Sequence, residues 1–290
     1  MSTVTDRAAP VEVADGYRAG RTLPIRVELV RQLKRRRTLV MFGILIALPF
    51  VLLIAFQLGG GPGSDNTRVN LMDTATVSGA NFAAVNLFAS AGFLLVVPVA
   101  LFCGDTVASE ASWSSLRYLL AAPVPRARLL WSKLVVGLVL SLAAMLLLPL
   151  TALAVGTAAY GWGPLQLPTG GALEPGTAAQ RLLITVAYIF ISQLVTAALA
   201  FWLSTRTDAP LGAVGGAVGL TIVGNVLDQV TALGDWRDFL PSHWQYAWLD
   251  AVQPTLRWSD MIQGTSLSIT LALVLFALAF RGFARKDVVS

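Results

Sequence analysis

The sequence predicts an all-α integral membrane protein of six transmembrane helices with both termini in the cytoplasm. Three observations carry this expectation. Uninterrupted apolar runs of about twenty residues recur along the chain, the length a helix needs to cross ~30 Å of hydrocarbon. Charged residues make up 13% of the 290 and hydrophobic ones 56%, against roughly 25% charged in a soluble domain. Lysine and arginine concentrate in alternate connecting segments, which places those segments in the cytoplasm.

Residues 1–22 are polar, lack a cleavage pattern near the start, and read as a flexible cytoplasmic N-terminus ahead of a six-helix transmembrane domain over 23–290. Residues 25–37 read as an amphipathic helix lying along the membrane. Ile25, Leu29, Val30 and Leu33 share one face at helical spacing, and Glu28, Arg31, Lys34 and Arg35 take the other. Its basic end either anchors the first span against anionic headgroups or also touches a cytoplasmic partner.

The first span, 39–58, ends at Gly59, Gly60, Gly61, Pro62 and Gly63. The others are 82–103, 134–160, 182–203, 209–227 and 262–280. Pro49, Pro98 and Pro149 inside them are compatible with membrane helices, whose neighbours re-satisfy freed carbonyls. Orientation follows from Arg26, Arg31 and Lys34 to Arg37 before the first span, Arg117, Arg126, Arg128 and Lys133 after the second, Arg206 after the fourth, and Arg281, Arg285 and Lys286 after the sixth. The other three loops hold only Arg68, Arg181, Arg237 and Arg257 among several acids, so the net charge of +5 reflects topology and not nucleic acid.

Between the second and third spans, Ser112 opens a short helix over 112–120, with Trp113, Leu116 and Leu120 at i, i+3 and i+7. Ser109 or Ser112 is its candidate cap, and Pro123 and Pro125 end it. Such a helix suits docking into a groove on a cytoplasmic protein. In the fourth span, Thr185, Ser192 and Thr196 lie within ~40° on a helical wheel, flanked by Tyr188 and Gln193. That polar face either lines a passage or hydrogen-bonds neighbouring helices. Gly212, Gly216 and Gly219, with Gly215, form overlapping GxxxG pairs in the fifth span, serving packing within the chain or a contact between subunits. Trp236, Trp244, Trp248 and Trp258 in the last outer loop predict short interfacial or re-entrant helices before the final span, with His243 among them.

Chemistry is sparse. One cysteine (Cys103) and one histidine offer no metal-ligand cluster, so no metal or cofactor is expected on this chain. With no acid expected deep in a span and no Ser/His or paired-carboxylate arrangement at membrane depth, ion-coupled transport and an intramembrane enzyme are disfavoured. A non-transporting scaffold that binds partners through its basic face is the other alternative.

The order Glu110, Leu116 to Leu120, Pro123, Arg126 and Lys133 resembles the cytoplasmic loop of ABC type-2 exporter permeases: an acid, a hydrophobic turn, a proline with a basic residue, and a lysine opening the next span. The six spans and the amphipathic N-terminal helix resemble the same family. The resemblance implies a coupling helix, carried by Glu110, Trp113, Leu116, Arg117, Leu119, Leu120 and Arg126, that meets a separate ATP-binding subunit. It implies a connecting helix, with Ile25, Leu29, Leu33 and Arg35, flanking that contact. It further implies a plasma-membrane exporter in which two permease chains, identical or homologous, enclose the path among membrane lipids. ATP and Mg would sit on the partner subunit, since this chain has no GxxxxGK[ST] loop and so no ATPase site of its own. An apolar path with scattered hydroxyls suits a hydrophobic or amphipathic substrate such as a drug or lipid.

Overall fold

The structure, a computed structural model, describes residues 24–59, 71–112 and 125–285. Among the described residues it is mainly helical, with one two-stranded hairpin. The helices are α1 (Ile25–Leu33), α2 (Arg36–Leu58), α3 (Gly79–Ala91), α4 (Val96–Ser112), α5 (Arg126–Tyr160), α6 (Pro175–Ser192), α7 (Leu194–Arg206), α8 (Pro210–Asp228) and α9 (Ser259–Ala284). Five units are long and apolar enough to cross a membrane: α2, α5, α6 with α7, α8 and α9. The pair α3 and α4, bent by 54°, makes a sixth if it counts as one span.

The second apolar run is therefore not one helix. It breaks at residues 92–95, and the cause is Pro98. Proline lacks an N–H and is tolerated in the first turn of a helix, so a new helix starts just ahead of it. The Leu95 N–H reaches back to the Ser90 carbonyl at 3.0 Å across the bend. α4 then runs on to Ser112, nine residues beyond the expected end at Cys103, so Ser109 lies inside α4 and Ser112 is its last described residue, with the rest of the expected helix over 112–120 outside the described residues. The fourth span likewise pauses once, at Gln193, between α6 and α7. The expected helix over 25–37 stops at Leu33, and Arg36 and Arg37 already belong to the first turn of α2.

α3 and α4 form the centre. Nearly every residue of α3 is buried, and α4 is buried on most sides. α3 packs on α5; α4 packs on α5, α7 and α8; α9 packs on α7, and α2 on α5. Small residues set the closest approach: a Cβ on Gly156 of α5 would fall 2.7 Å from that of Phe82. α2, α8 and α9 keep long apolar surfaces exposed, among them Val51, Ile54, Leu211, Val226 and Leu273, as expected of faces turned to lipid.

The Arg126 guanidinium donates to the Ala284 carbonyl, which sets the start of α5 beside the end of α9, and α1 packs on α5 close by. Both ends of the described chain thus share one end of the bundle. At the other end, β1 (Leu165–Gln166) pairs antiparallel with β2 (Ala172–Leu173) around Gly170 and Gly171, whose φ of 92° and 88° glycine adopts freely. Asn81 ties this hairpin to α3, donating to the Gln166 carbonyl and accepting from its N–H.

The tryptophan-rich segment before α9 folds as short 3-10 helices over Thr231–Phe239, kinked at Gly234 (φ 50°), and over Ala247–Val252. Between them the chain goes deep. Gln245 donates to the Ala91 carbonyl at 2.8 Å, ~18 Å along α3 from its start at 1.5 Å per residue. The Tyr188 hydroxyl donates to the Trp244 carbonyl at 2.6 Å, and Trp248 is fully buried. His243 lies between carboxylates, its Nδ1 2.7 Å from Asp228 and its Nε2 3.5 Å from Asp238.

Candidate functional site

At the end of the bundle that carries α1, three carboxylates and four cations from four helices and one turn meet in a buried cluster. Glu28 and Gln32 stand one turn apart on α1, and both are buried, so they form its inward face. The expectation that Glu28 lies on the solvent side is therefore corrected. Ile25, Val30 and Leu33, three of the four residues of the expected apolar face, are exposed outward, while Leu29 rests against the core. The arrangement has a physical cause: in a membrane the exposed apolar face has lipid to meet, and the acid finds cations inside.

Those cations are Arg31 and Lys133. The Lys133 side chain is 1% exposed, with its ammonium 2.5 Å from Glu110 Oε1 and 3.4 Å from Glu28 Oε1. Arg31 pairs with Glu28 at 2.7 Å and also with Glu110. Gln32 donates to Glu28 at 3.0 Å. One helical turn and a half earlier on α4, Asp105 accepts from Arg35 at 2.5 Å and from Arg37, and Arg35 also donates to Ser109 at 3.3 Å. Burial alone would raise the Glu28 carboxyl, but Lys133, then Arg31 and Gln32, outweigh it and hold it below the usual carboxylate range. The cluster ties α1, the α1–α2 turn and the first turn of α2 to the last part of α4 and the start of α5. Residues 113–124, which join α4 to α5, run between two of its anchors.

The coupling-helix residues Trp113, Leu116, Arg117, Leu119 and Leu120 lie outside the described residues. Glu110 is 2% exposed and belongs to the cluster, its carboxylate paired with Lys133 and Arg31. Arg126 is exposed at the start of α5. Sequence reasoning missed Asp105 as a buried group and Glu28 and Lys133 as its neighbours in the cluster. The available signal was that Glu28, Asp105 and Glu110 are acids lying within the basic-rich segments.

The fourth-span set divides. Ser192, Gln193 and Thr196 line a cavity of about 320 Å³ between α6, α7 and α8, closed on one side by Pro241, Ser242 and Gln245. Thr196 and Thr221 face each other across it at 3.4 Å. Thr185 is instead buried in packing, and Tyr188, buried against the deep segment, borders a separate cavity of about 570 Å³ between α6 and α9. Of the fifth-span glycines, Gly216 meets Leu203 at 3.1 Å from an added Cβ and Gly212 meets its own preceding turn, both within the chain. A Cβ on Gly215 or Gly219 would meet no described atom within 4 Å.

A family model described as ABC-2 family transporter protein matches residues 25–224, from the first residue of α1 into α8. Among curated proteins, none matches the chain.

Proposed function

Given that the chain belongs to the ABC-2 family of transporter proteins, we propose that it is the membrane subunit of an ATP-driven exporter whose energy comes from a separate ATP-binding subunit. The observation that carries this reading is the buried charge cluster. It joins α1 to α4 and α5 on either side of residues 113–124, so a push on that segment is felt by three helices together. A contact there biases the membrane helices only if it differs between nucleotide states, and the cluster is the rigid link such a bias needs. Arg26, Arg128, Arg206, Arg281 and Arg285 lie at the same end, which supports a cytoplasmic position for it and for both termini in the plasma membrane.

In this reading the 320 Å³ cavity is a stretch of pathway, and its apolar wall with Ser192, Gln193, Thr196 and Thr221 suits a hydrophobic or amphipathic cargo. A second permease chain closes it. The deep segment with Gln245 is a re-entrant plug on the outer side. Coexpression with the ATP-binding subunit tests the proposal: a stable complex is expected, with ATP turnover that falls several-fold when Leu116 or Leu120 becomes Asp. A chain that forms no such complex, or whose ATPase ignores those changes, is not a coupled exporter.

A further inference from the structure

The geometry points to an anionic phospholipid headgroup bound between α7 and α9 at the end that carries α1. Arg206, the last residue of α7, and Arg281 and Arg285, one turn apart at the end of α9, line a cavity of about 520 Å³ with Thr205, Leu278 and Gly282. Three arginines line it. Among the described residues none of them pairs with a carboxylate, since the ion pairs lie in the α1 cluster and around Asp228.

Arg206 is exposed, but its guanidinium is seated against two neighbours. Its guanidinium carbon lies 5.7 Å from the centre of the Trp202 ring, and it rests on the bare backbone of Gly282, where an added Cβ would come within 3.0 Å of Nη2. Guanidinium forks match phosphate oxygens bidentately, and a basic pocket between membrane helices is where a phospholipid head is neutralised. The lipid source is favoured over free phosphate by what lies beneath. Leu278 forms the pocket floor, and Val274, one turn further into α9, continues the same exposed apolar track at the depth of acyl chains. The site requires that the chain spans a bilayer, not that it exports.

The test is native mass spectrometry of the full chain titrated with phosphatidylglycerol or phosphatidylcholine. Selective retention of phosphatidylglycerol is expected, weakened about 30-fold in the Arg206→Gln/Arg281→Gln variant if each arginine contributes as a basic group near a membrane surface does. Gly282→Leu keeps every charge but displaces the Arg206 guanidinium. It is expected to weaken retention too, which a diffuse surface potential would not do. Equal retention of the two lipids, an unaffected double variant or Gly282→Leu, or displacement by millimolar inorganic phosphate or an acidic partner protein in place of lipid, would each overturn the assignment.

Discussion

Lys133 shows why removing one member of the α1 cluster is worse than removing a pair. Its ammonium is enclosed and held by Glu110 and Glu28. Taking away a buried charge leaves its partners desolvated and uncompensated, at a cost of ~3–5 kcal/mol, whereas replacing both members of a pair is close to neutral. Lys133→Met is therefore expected to lower the melting temperature of the purified chain markedly. Lys133→Met/Glu110→Gln should recover most of the loss, because Arg31 and Glu28 still neutralise each other. A double variant no better than the single would mean that the cluster does not balance as a unit. Acid should act at the same place. Glu28 binds its proton less readily folded than unfolded, so its contribution is complete above the ordinary carboxylate range and is lost as pH falls through and below it. Proteolysis near α1 should accelerate below about pH 4 in the wild type, and Glu28→Gln should be accelerated already at neutral pH. The sequence displayed Glu110 and Lys133 as parts of one pattern, but it could not pair either with Glu28, which is 105 residues from Lys133. Helical spacing assigns Glu28 to a face; only the approach of α5 decides that this face is the inner one.

The bend between α3 and α4 is the least ordinary of the elements, and the deep segment is what makes it tolerable. A broken helix frees carbonyls that lipid cannot satisfy. Here the Ala91 carbonyl accepts from Gln245 at 2.8 Å, with Gln193 at 3.5 Å, and the Tyr246 hydroxyl fills the space a Cβ on Gly92 would need, 2.6 Å from it. Gln245→Leu is expected to cost ~1–3 kcal/mol through the unsatisfied carbonyl and to make a cysteine placed at position 246 more reactive toward thiol reagents. Gln245→Glu, which keeps size but not the donor, should behave alike; if both variants match wild type in melting and labelling, the segment does not brace the bend. Six apolar runs were legible because hydrocarbon demands a fixed length of apolar chain; five appear as candidate spans, and the second does so only if the bent α3–α4 pair counts as one. The bend was not, because Pro98 reads as interior to a run of apolar residues, and only in space is it the first turn of a second helix. The polar face of the fourth span was legible as a set, but its members part in space: Ser192, Gln193 and Thr196 line one cavity, Tyr188 another, and Thr185 is buried in packing.

Across the whole molecule, α4 is the common member. It carries Asp105 and Glu110 of the cluster, and its opposite side rests on α7, where Ser204 accepts from the Val107 and Ala108 N–H groups at 3.2 and 2.9 Å, close to the arginine pocket. Motion entering at the α1 end can therefore reach α7 and α8 through one rigid helix. α8 presents Ala213 and Ala217 to the chain's interior. At 100° per residue, Gly215 and Gly219 lie on the far side, and open space faces both. Leu220, Val223 and Leu227, on the adjoining strip, form one wall of the 320 Å³ cavity and are exposed as well. A second copy seated on this face would gain close backbone approach at the glycines and would close the cavity, which is the arrangement proposed for the transport path. Cys103 is buried and is the chain's single cysteine, so Gly215→Cys introduces one accessible thiol. Mild oxidation in membranes should then convert the chain to a disulfide-linked dimer. Gly219→Leu in the same background should reduce that product several-fold, while a cysteine at Leu273 on α9 should give little. Equal cross-linking from α8 and α9 would reflect random collision in the bilayer, and a chain that stays monomeric with cysteine at either position would place its partner elsewhere and leave the cavity open to lipid.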